Sequence, residues 1–369
     1  MAEKSKKPKR LVLLDAHAIL HRGYHALPEF SSSKGEPTGA LYGLSAMLMK
    51  IITDLKPDFI AACYDMPGKT FRHEVYEEYK AKRPKAESDL IAQMIRSRDI
   101  FKAFNIPIYE KEGFEADDVL GTVVEEMKER LIRGEIEIII ASGDMDTLQL
   151  VDDERVRVYT LKKGLNDTVL YDETAVMKRF GFSPGYLPDF KGLRGDPSDN
   201  IIGIKGIGEK TATIFIQNFG SIEEIYKKLK KDEKQFEKTG LTPRVINLLK
   251  EGEEEALFSK TLATIRRDAP ISFSLPPKYF RESFDIEKVA SLFRELEFRT
   301  LTERAKKLFG VSDEKEVEIQ EKDETITPAE IEKVALALWL VDSNITNPSA
   351  EDILAFAHTD SFAQAKKHI

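Results

Sequence analysis

Cysteine and histidine are scarce in this chain of 369 residues. Cys63 is the single cysteine, which excludes an internal disulfide and any cysteine-rich zinc site. The six histidines are scattered and suggest no His-rich zinc site, and no serine or cysteine catalytic triad is suggested either. We therefore look for the chemistry of this chain in its other polar side chains.

Long apolar runs are also missing, and none would span a membrane. The basic N-terminal segment MAEKSKKPKR is followed by LVLLDAHAIL, in which Asp15 and His17 interrupt what would be the apolar part of a signal peptide. The sequence therefore predicts a cytoplasmic protein without a membrane partner.

Positive charge is in deficit overall, since the net charge is −8. The 14 acidic and 8 basic residues from Glu303 onward give that tail −6 and leave residues 1–302 with −2. Nine carboxylates of that body are assigned below to a metal site, and without them the body carries +7. Local basic patches can therefore still bind a polyanion.

Three short apolar runs end at aspartates. The runs with their acids are Leu11–Leu14 with Asp15, Phe59–Tyr64 with Asp65, and Ile136–Ala141 with Asp144 and Asp146. Helical patterns separate them, at Ala40–Leu55, Ser88–Phe104 and Ala116–Arg133. This alternation predicts an α/β domain with a parallel sheet. Because ligands bind at the carboxyl ends of such strands, we expect the aspartates to meet in one site.

Glu115, Asp117 and Asp118 begin the third helical pattern, where negative charge is favourable. Ordinary helix capping would explain these acids by itself. We assign them to the site because the aspartates at the three strand ends need further ligands beside them.

The stretch from Lys191 to Ala212, KGLRGDPSDNIIGIKGIGEKTA, joins two acids to a glycine-rich turn and a helical run. Asp196 and Asp199 are three residues apart and can both reach one hard cation. The turn leaves backbone N–H groups uncovered at a helix start, where a phosphate can bind. A metal site beside a phosphate site suggests an enzyme that cuts phosphodiesters.

Two plainer interpretations of this stretch stay open at this point. It could be a helix–turn–helix connection with solvated acids. It could also be a nucleotide-binding loop, because Gly203 and Gly208 have the Walker spacing. Glu209 stands where that motif has its lysine, however, and no strand leads into the turn.

Nine carboxylates now stand on candidate site elements: Asp15, Asp65, Glu115, Asp117, Asp118, Asp144, Asp146, Asp196 and Asp199. Packed together, they would repel one another unless cations neutralise them. Two Mg²⁺ ions about 4 Å apart would do so, and would clamp the attacking and leaving oxygens of a phosphoryl transfer.

The chain closely resembles the 5′-nuclease (5′→3′ exonuclease) domain of bacterial DNA polymerase I, in the flap endonuclease family. The resemblance covers roughly residues 10–300. Its motifs are Leu14-Asp15, Arg22-Gly23-Tyr24-His25-Ala26, Gly35-Glu36-Pro37-Thr38-Gly39, Phe71-Arg72-His73-Glu74, Tyr79-Lys80-Ala81-Lys82-Arg83, Glu115-Ala116-Asp117-Asp118, Gly143-Asp144-Met145-Asp146, Gly195-Asp196-Pro197-Ser198-Asp199-Asn200 and Gly206-Ile207-Gly208-Glu209-Lys210-Thr211-Ala212.

The resemblance implies a PIN-like α/β core with a parallel sheet, a helical arch, a helix–three-turn–helix element and a helical C-terminal stub. It implies Mg²⁺ with Mn²⁺ as a substitute, and a K⁺ held by backbone carbonyls of the hairpin. Lys80, Arg83, Asp117 and Asp144 would be catalytic. The residues expected to bind DNA are Arg22, Tyr24, Arg72, Tyr79, Lys80, Arg83, Gly203, Lys205, Gly206, Gly208, Lys210 and Thr211.

The predicted organisation has five parts: a basic tail at 1–10, the catalytic core with its arch at 11–190, the DNA-binding region at 191–302, an acidic linker at 303–327 and a helical fragment at 328–369. The fragment resembles part of the proofreading-exonuclease-like domain of DNA polymerase I. The chain is thus either a truncated or split polymerase I or a separate nuclease.

The leading hypothesis is a monomeric 5′→3′ exonuclease and flap endonuclease. It would act on DNA with a 5′ flap, nick or RNA primer, and a separate polymerase chain is a further expected partner. A non-catalytic module that binds DNA junctions is the first alternative, and the full set of acids disfavours it. An RNA-cutting PIN-type nuclease is the second, and the pair Asp196 and Asp199 beside a glycine hairpin disfavours that.

Overall fold

A computed structural model describes residues 7–27, 31–84, 86–161 and 168–310, together with 331, 333–335, 338, 349–356 and 365. The chain divides into two compact units, Met1–Leu308 and Phe309–Ile369. A predicted turn at 163–166, most of the acidic linker 303–327 and most of the C-terminal fragment 328–369 lie outside the described residues. The division into five parts therefore stays a prediction.

The strands of the described residues are β1 (Lys9–Asp15), β2 (Phe59–Tyr64), β3 (Ile108–Glu110), β4 (Ile136–Ala141), β5 (Val156–Leu161) and β6 (Thr168–Tyr171). The α-helices are α1 (Ala16–Ala26), α2 (Gly39–Leu55), α3 (Phe71–Val75), α4 (Ser88–Ala103), α5 (Ala116–Glu126), α6 (Lys128–Ile132), α7 (Glu173–Phe180), α8 (Leu187–Arg194), α9 (Glu209–Phe219), α10 (Ile222–Lys231), α11 (Lys234–Glu237), α12 (Pro243–Glu251), α13 (Glu253–Ala263), α14 (Phe280–Ser283), α15 (Ile286–Glu295), α16 (Arg299–Phe309) and α17 (Ala350–Phe356). Short 3₁₀ helices lie at Met145–Leu150 and Pro184–Tyr186.

One sheet organises the first unit, with the strand order β3-β2-β1-β4-β5-β6. Strands β1 to β5 are parallel to their neighbours, and only β6 pairs antiparallel, with β5. The central strands are apolar and almost fully buried, as expected of a sheet covered on both faces. The parallel α/β sheet predicted from the three apolar runs is confirmed.

The strand order changes direction at β1. The chain leaves β1 for β2 and β3 on one side and later returns to β4 on the other. A crevice outside the carboxyl ends of β1 and β4 is the place where such sheets bind ligands. Asp15 ends β1, and Asp144 lies three residues beyond β4, so the topology directs both acids to this crevice.

Two elements depart from the sequence prediction. The single helical pattern at Ala116–Arg133 is two helices, α5 and α6, separated at Met127. Strand β3 was not predicted, because it has three residues and all of them are half-buried, which leaves no apolar run to recognise.

The glycine-rich turn lies between α8 and α9, and the helices that follow support it. Ile204 packs against Gly252, and Leu248 of α12 contacts Gly206. The hydroxyl oxygen of Ser259 in α13 accepts a hydrogen bond from the backbone N–H of Gly203 at 3.0 Å. In the described residues, every helix is too short or too polar to cross a membrane.

Candidate active site

Asp15 is fixed by its position between a buried strand and a helix. It ends β1 and caps α1, accepting a hydrogen bond at Oδ1 from the backbone N–H of Ala18 at 3.0 Å. Its Oδ2 accepts from the Ser142 hydroxyl at 2.6 Å. Both carboxylate oxygens are thus held by uncharged donors while the side chain is buried.

Ser142 connects the ends of β1 and β4. Besides bonding Asp15, its hydroxyl accepts from the backbone N–H of Asp144 at 2.9 Å. Asp144 in turn caps the following 3₁₀ helix by accepting from the backbone N–H of Asp146 at 2.8 Å. The two strand ends are therefore held together by a short hydrogen-bond chain.

Asp65 follows β2 and is tied to the start of α5, since its Oδ1 accepts from the backbone N–H of Ala116 at 2.6 Å. His17 Nδ1 lies 3.2 Å from its other oxygen. Burial works against ionisation of Asp65, but His17 and the Ala116 amide prevail and lower its pKa to about 2. Its low pKa keeps Asp65 ionised at neutral pH.

The raised pKa of Asp117 shows that several acids lie near it. Burial raises its pKa well above the usual range, and so do the charges of four other acids, Asp144, Asp15, Asp146 and Asp65. Burial, helped by the charges of Asp65 and Asp144, also raises the pKa of Asp15 to about 6. Five acids from three strand ends and one helix start therefore influence one another electrostatically.

The remaining acids of the site form ion pairs with lysine and arginine side chains. Asp146 and Asp196 both contact the ammonium group of Lys191. Glu115 lies 2.9 Å from Lys80 Nζ, and Asp199 accepts from Arg83 Nη2 at 2.5 Å. The site thus has two groups of acids. Asp15, Asp65 and Asp144 are held by neutral donors and His17, whereas the other group is paired with the side chains of Lys80, Arg83 and Lys191.

Backbone contacts join the basic segment after α3 to the turn that carries Asp199. The backbone N–H of Lys80 donates to the Asp199 carbonyl at 2.9 Å, and the Asn200 side chain donates to the Glu78 carbonyl at 2.8 Å. Lys80 adopts a left-handed conformation, with φ 56°, to make this contact. Lys80 and Arg83 are therefore placed beside the acids.

In the described part of the chain, no three Asp, Glu, His or Cys side chains are grouped closely enough to hold one metal ion as they stand. Around Asp146, Asp196, Glu115 and Asp199 the reason is visible, because cations occupy their oxygens. The donor chemistry nevertheless fits a hard divalent cation, since it consists of buried oxygen ligands whose charges repel one another.

Asp118 and Arg72 have a different role from the one the sequence suggested. Asp118 is fully buried, and the Arg72 guanidinium binds both of its oxygens, at 2.7 and 2.8 Å. The backbone N–H groups of Glu115 and Arg266 donate to the same carboxylate. With four donors, Asp118 is a structural and capping residue, and the guanidinium of Arg72 is buried against it. We retain neither among the proposed ligands or DNA contacts.

Tyr79 was expected to bind DNA, but its side chain is buried. Its hydroxyl donates towards Glu115 at 3.2 Å and Asp199 at 3.1 Å. Tyr24, expected to contact DNA as well, donates to Glu87 at 2.8 Å. In this arrangement Tyr79 supports the acids of the site instead of offering a stacking surface.

The hairpin residues divide into buried and exposed ones. Gly203 is buried, with φ +62°, and a Cβ there would lie 2.1 Å from the Gly195 backbone nitrogen. Gly208 caps α9 in an extended conformation, and a Cβ there would meet open space. Lys205, Gly206 and Lys210 are exposed, and Thr211 and Arg22 are half-buried. The exposed residues are accessible from solvent, whereas Gly203 serves the fold.

Two residues of the site were not predicted. Lys191 begins the stretch that drew attention to Asp196, yet its contact with Asp146 spans 45 residues of sequence. Ser142 belongs to a Ser-Gly-Asp turn that looks like an ordinary loop. Each also has a distant partner that only the fold brings near, Asp146 for Lys191 and Asp15 for Ser142, and the sequence gives no signal for those contacts.

A parallel sheet with a group of buried acids at its strand ends defines the class of acid-site nucleases with an α/β core. Two family models match consecutive parts of the chain: the N-terminal resolvase-like domain of 5′-3′ exonucleases at residues 10–181, and their C-terminal SAM fold at residues 182–285. The chain belongs to the family of 5′-3′ exonucleases, which are nucleases. The resemblance read from the motifs is confirmed.

A curated relative, the DNA polymerase I of Chloroflexus aurantiacus, is 37% identical over 345 residues, covering 92% of this chain and 35% of the relative. This chain spans about a third of the length of the DNA polymerase I relatives it matches. The similarity is longer than the 308 residues of the first unit and so continues into the second.

Two solved structures of bacteriophage T5 nucleases have the same fold. One, of T5 5′-exonuclease with bound zinc, is 18% identical with a TM-score of 0.56, and covers 83% of this chain and all of that one. The other, of a T5 D15 flap endonuclease variant with DNA and metal ions, is 17% identical with a TM-score of 0.56 and covers 82% and 100%. These confirm the predicted fold class.

Proposed function

We propose that this chain hydrolyses DNA phosphodiesters as a 5′→3′ exonuclease and 5′-flap endonuclease that uses two divalent cations. The observation that carries the proposal is Asp117, whose pKa is raised by burial and by four neighbouring acids from separate strand ends. Such mutual repulsion is costly unless divalent cations neutralise it. Mg²⁺ is the proposed ion, with Mn²⁺ as a substitute.

The acids are proposed to act as two sets. Asp15, Asp65, Glu115 and Asp117 would surround one cation, and Asp144, Asp146, Asp196 and Asp199 the other, with Asp117 between them. When bound, the ions would activate a water molecule and neutralise the charge that develops on the scissile phosphate. Ser142 and His17 hold three of these acids in place, at contacts of 2.6 to 3.2 Å.

Lys80 and Arg83 would bind the scissile phosphate. Their contacts with Glu115 and Asp199 keep the Lys80 ammonium and the Arg83 guanidinium at the edge of the acidic site. A phosphate entering between the two groups would gain donors that are already oriented, which stabilises developing negative charge. These two residues are the proposed catalytic cations.

The hairpin is proposed to hold the duplex at a distance from the scissile bond. Its uncovered N–H groups near Gly208, with Lys205 and Lys210, would contact phosphates, which position a strand without reading its bases. A K⁺ bound by carbonyls of the turn would bridge protein and phosphate.

The relatives support the proposed substrates. The T5 D15 structure contains DNA and metal ions, and its protein is named a flap endonuclease. The relatives named DNA polymerase I support a polymerase beside this nuclease, whether linked or separate. Removal of 5′ flaps and RNA primers is part of our proposal. A monomer in the cytoplasm remains our expectation.

Cleavage of a 5′-labelled flap substrate tests the proposal. The chain should release the flap in Mg²⁺, should fail in EDTA, and should recover when Mg²⁺ is added in excess. A single-stranded RNA of the same length is the comparison substrate. Flap binding without cleavage in Mg²⁺ would favour a junction-binding module, and preferred cutting of the RNA would favour an RNA nuclease.

A further inference from the structure

Lys191 contacts two acids of the site that lie on different elements. It lies in the last turn of α8, and its carbonyl accepts from the backbone N–H of Gly195 at 2.8 Å, which fixes the main chain beside Asp196. Its ammonium group contacts Asp146, in the 3₁₀ helix after β4, and also Asp196 Oδ2 at 2.5 Å. The lysine therefore spans from the helical region to the sheet.

The contact is sheltered from water. The side chain of Lys191 is 17% exposed, and those of Asp146 and Asp196 are 19% and 11% exposed. By contrast, the pairs Lys128–Glu125 and Lys230–Glu253 lie at the surface, where an ion pair contributes little. A sheltered ammonium that neutralises two acids is instead a strong local counter-ion.

The oxygens that Lys191 binds are also those assigned to the second divalent cation. A divalent ion must lie about 2.0–2.1 Å from each ligand oxygen if it is Mg²⁺. An ammonium touching both oxygens would then be almost in contact with the ion, and the two positive charges would repel each other. The carboxylates can serve the lysine or the metal, but they cannot serve both at once.

We propose that Lys191 competes with the second divalent cation for Asp146 and Asp196, and that the displaced ammonium then binds a phosphate of the DNA. The inference rests on the proposed function. Lys191 is a positioning residue in this scheme, since it acts through the two aspartates and the strand. Binding of the second divalent cation and binding of the DNA phosphate by Lys191 are then coupled.

The side chain is suited to such an exchange. A lysine has a flexible four-carbon stem and a compact charge, so its ammonium can move without a change in the main chain. Ser198 donates to the other oxygen of Asp196 at 3.0 Å from its N–H and 2.7 Å from its hydroxyl. Asp196 therefore keeps its orientation after Lys191 leaves.

Calorimetric titration of the full chain with Mg²⁺, without DNA and at about pH 8, tests the competition, since free carboxylates are ionised there. Lys191→Met removes the ammonium and keeps the length of the stem. The second binding event should become about five- to tenfold tighter, a coupling of ordinary size. Lys191→Arg should stay near the wild type. If Lys191→Met does not fold, Lys191→Gln carries the same expectation.

Lys260→Met is the matched control. Lys260 also bridges two carboxylates, Asp189 at 2.7 Å and Glu223 at 2.8 Å, but neither belongs to the site. Its loss should leave Mg²⁺ affinity unchanged. A merely structural Lys191 would weaken or preserve metal binding when replaced, so a gain in affinity separates the two roles.

Binding of flap DNA with and without Ca²⁺ tests the second half. Ca²⁺ should raise DNA affinity in the wild type, and this gain should be smaller in Lys191→Met. The slope of log affinity against log salt concentration should also be shallower in Lys191→Met, by the amount expected for about one lost phosphate contact. An unchanged second Mg²⁺ affinity in Lys191→Met and Lys191→Gln would overturn this inference alone. Absence of any Mg²⁺ binding in the wild type would overturn the proposed function together with it.

Discussion

Asp144 is the residue at which chemistry and folding can be separated. Asp144→Asn keeps the oxygen that accepts from the Asp146 N–H, so the cap of the 3₁₀ helix survives. The lost charge should reduce cleavage of flap DNA roughly a thousandfold or more, because several kcal/mol of metal-dependent stabilisation disappear. Binding of the same DNA should be retained or tightened, since repulsion of the phosphate falls.

Single-turnover cleavage and equilibrium binding of one flap substrate would measure both effects. Asp153→Asn, at an exposed acid that faces Arg155, serves as the control and should cut normally. Near wild-type cleavage by Asp144→Asn in Mg²⁺ would remove Asp144 from the proposed site.

Arg72 provides a second prediction at the residue scale, this time for stability. Its removal leaves Asp118 charged, buried and without its bidentate partner. Arg72→Ala should lower the free energy of unfolding by about 3–5 kcal/mol, as for other broken buried pairs. Arg133→Ala breaks an exposed pair with Glu129 and should cost under about 1 kcal/mol.

Urea unfolding of both variants would decide the matter. Equal destabilisation by Arg72→Ala and Arg133→Ala would mean that the buried pair does not fasten the fold.

The sequence indicated most of the acids but not what holds them. Asp15, Asp65 and Asp144 follow apolar runs, so a local pattern predicts where they lie. The partner of Arg72 is 46 residues away in Asp118 and 190 away in Leu262. An arginine near exposed glutamates looks like a surface residue in the sequence, and only the packing of α5 and α13 makes it a buried one.

At the scale of elements, the hairpin offers two glycines with opposite requirements. Gly208→Val adds a side chain in open space and leaves the extended backbone allowed. We expect normal folding but weaker flap binding, because a phosphate approaches a glycine more closely than any other residue. The salt dependence of binding should become shallower by about one unit of slope for each phosphate contact that is lost.

Gly185→Val is the control for added bulk, since a Cβ there also meets open space. Gly203→Val should instead damage folding, because its backbone is left-handed and its Cβ would strike Gly195. Binding curves at several salt concentrations test the set, and an unaltered curve for Gly208→Val would show that the hairpin only connects two helices.

The strands were easier to predict than the pieces between them. Strands β2 and β4 have the predicted bounds, since each is a buried run of uniform apolar character. The segment between β2 and β3 consists of the five-residue helix α3, a series of turns and the longer helix α4. Lys80 and Arg83, in those turns, contact Glu115 and Asp199 of the site. A charge pattern by itself does not show where such partners lie.

For the whole molecule, the buried acids predict a stability that falls as the pH rises when divalent cations are chelated. The pKa of Asp15 is about 6 in the folded chain and 3.8 for an ordinary aspartate. The folded state thus holds the proton longer, and between about pH 4 and 6 deprotonation favours the unfolded chain. Asp65, with a pKa of about 2, is already ionised throughout this window.

Asp15→Asn isolates this contribution. Relative to the wild type in EDTA, its free energy of unfolding should increase between pH 4 and 7, by at most about 3 kcal/mol at 1.36 kcal/mol per unit of pKa. Mg²⁺ should stabilise the wild type more than the variant at neutral pH. A difference between the two proteins that is constant with pH would contradict the raised pKa.

The hydrogen bonds around Asp118 can be completed only late in synthesis, because some of the donors lie far along the chain. Its carboxylate accepts from the backbone of Arg266, 148 residues further along the chain, and Arg72 reaches the carbonyls of Leu262 and Thr264. At about 5–20 residues per second, a ribosome needs roughly 7–30 seconds to make that segment. The acids of the site are therefore synthesised before the backbone groups that bind Asp118 and Arg72. A chain stalled before residue 266 should be open to proteases and inactive as a nuclease.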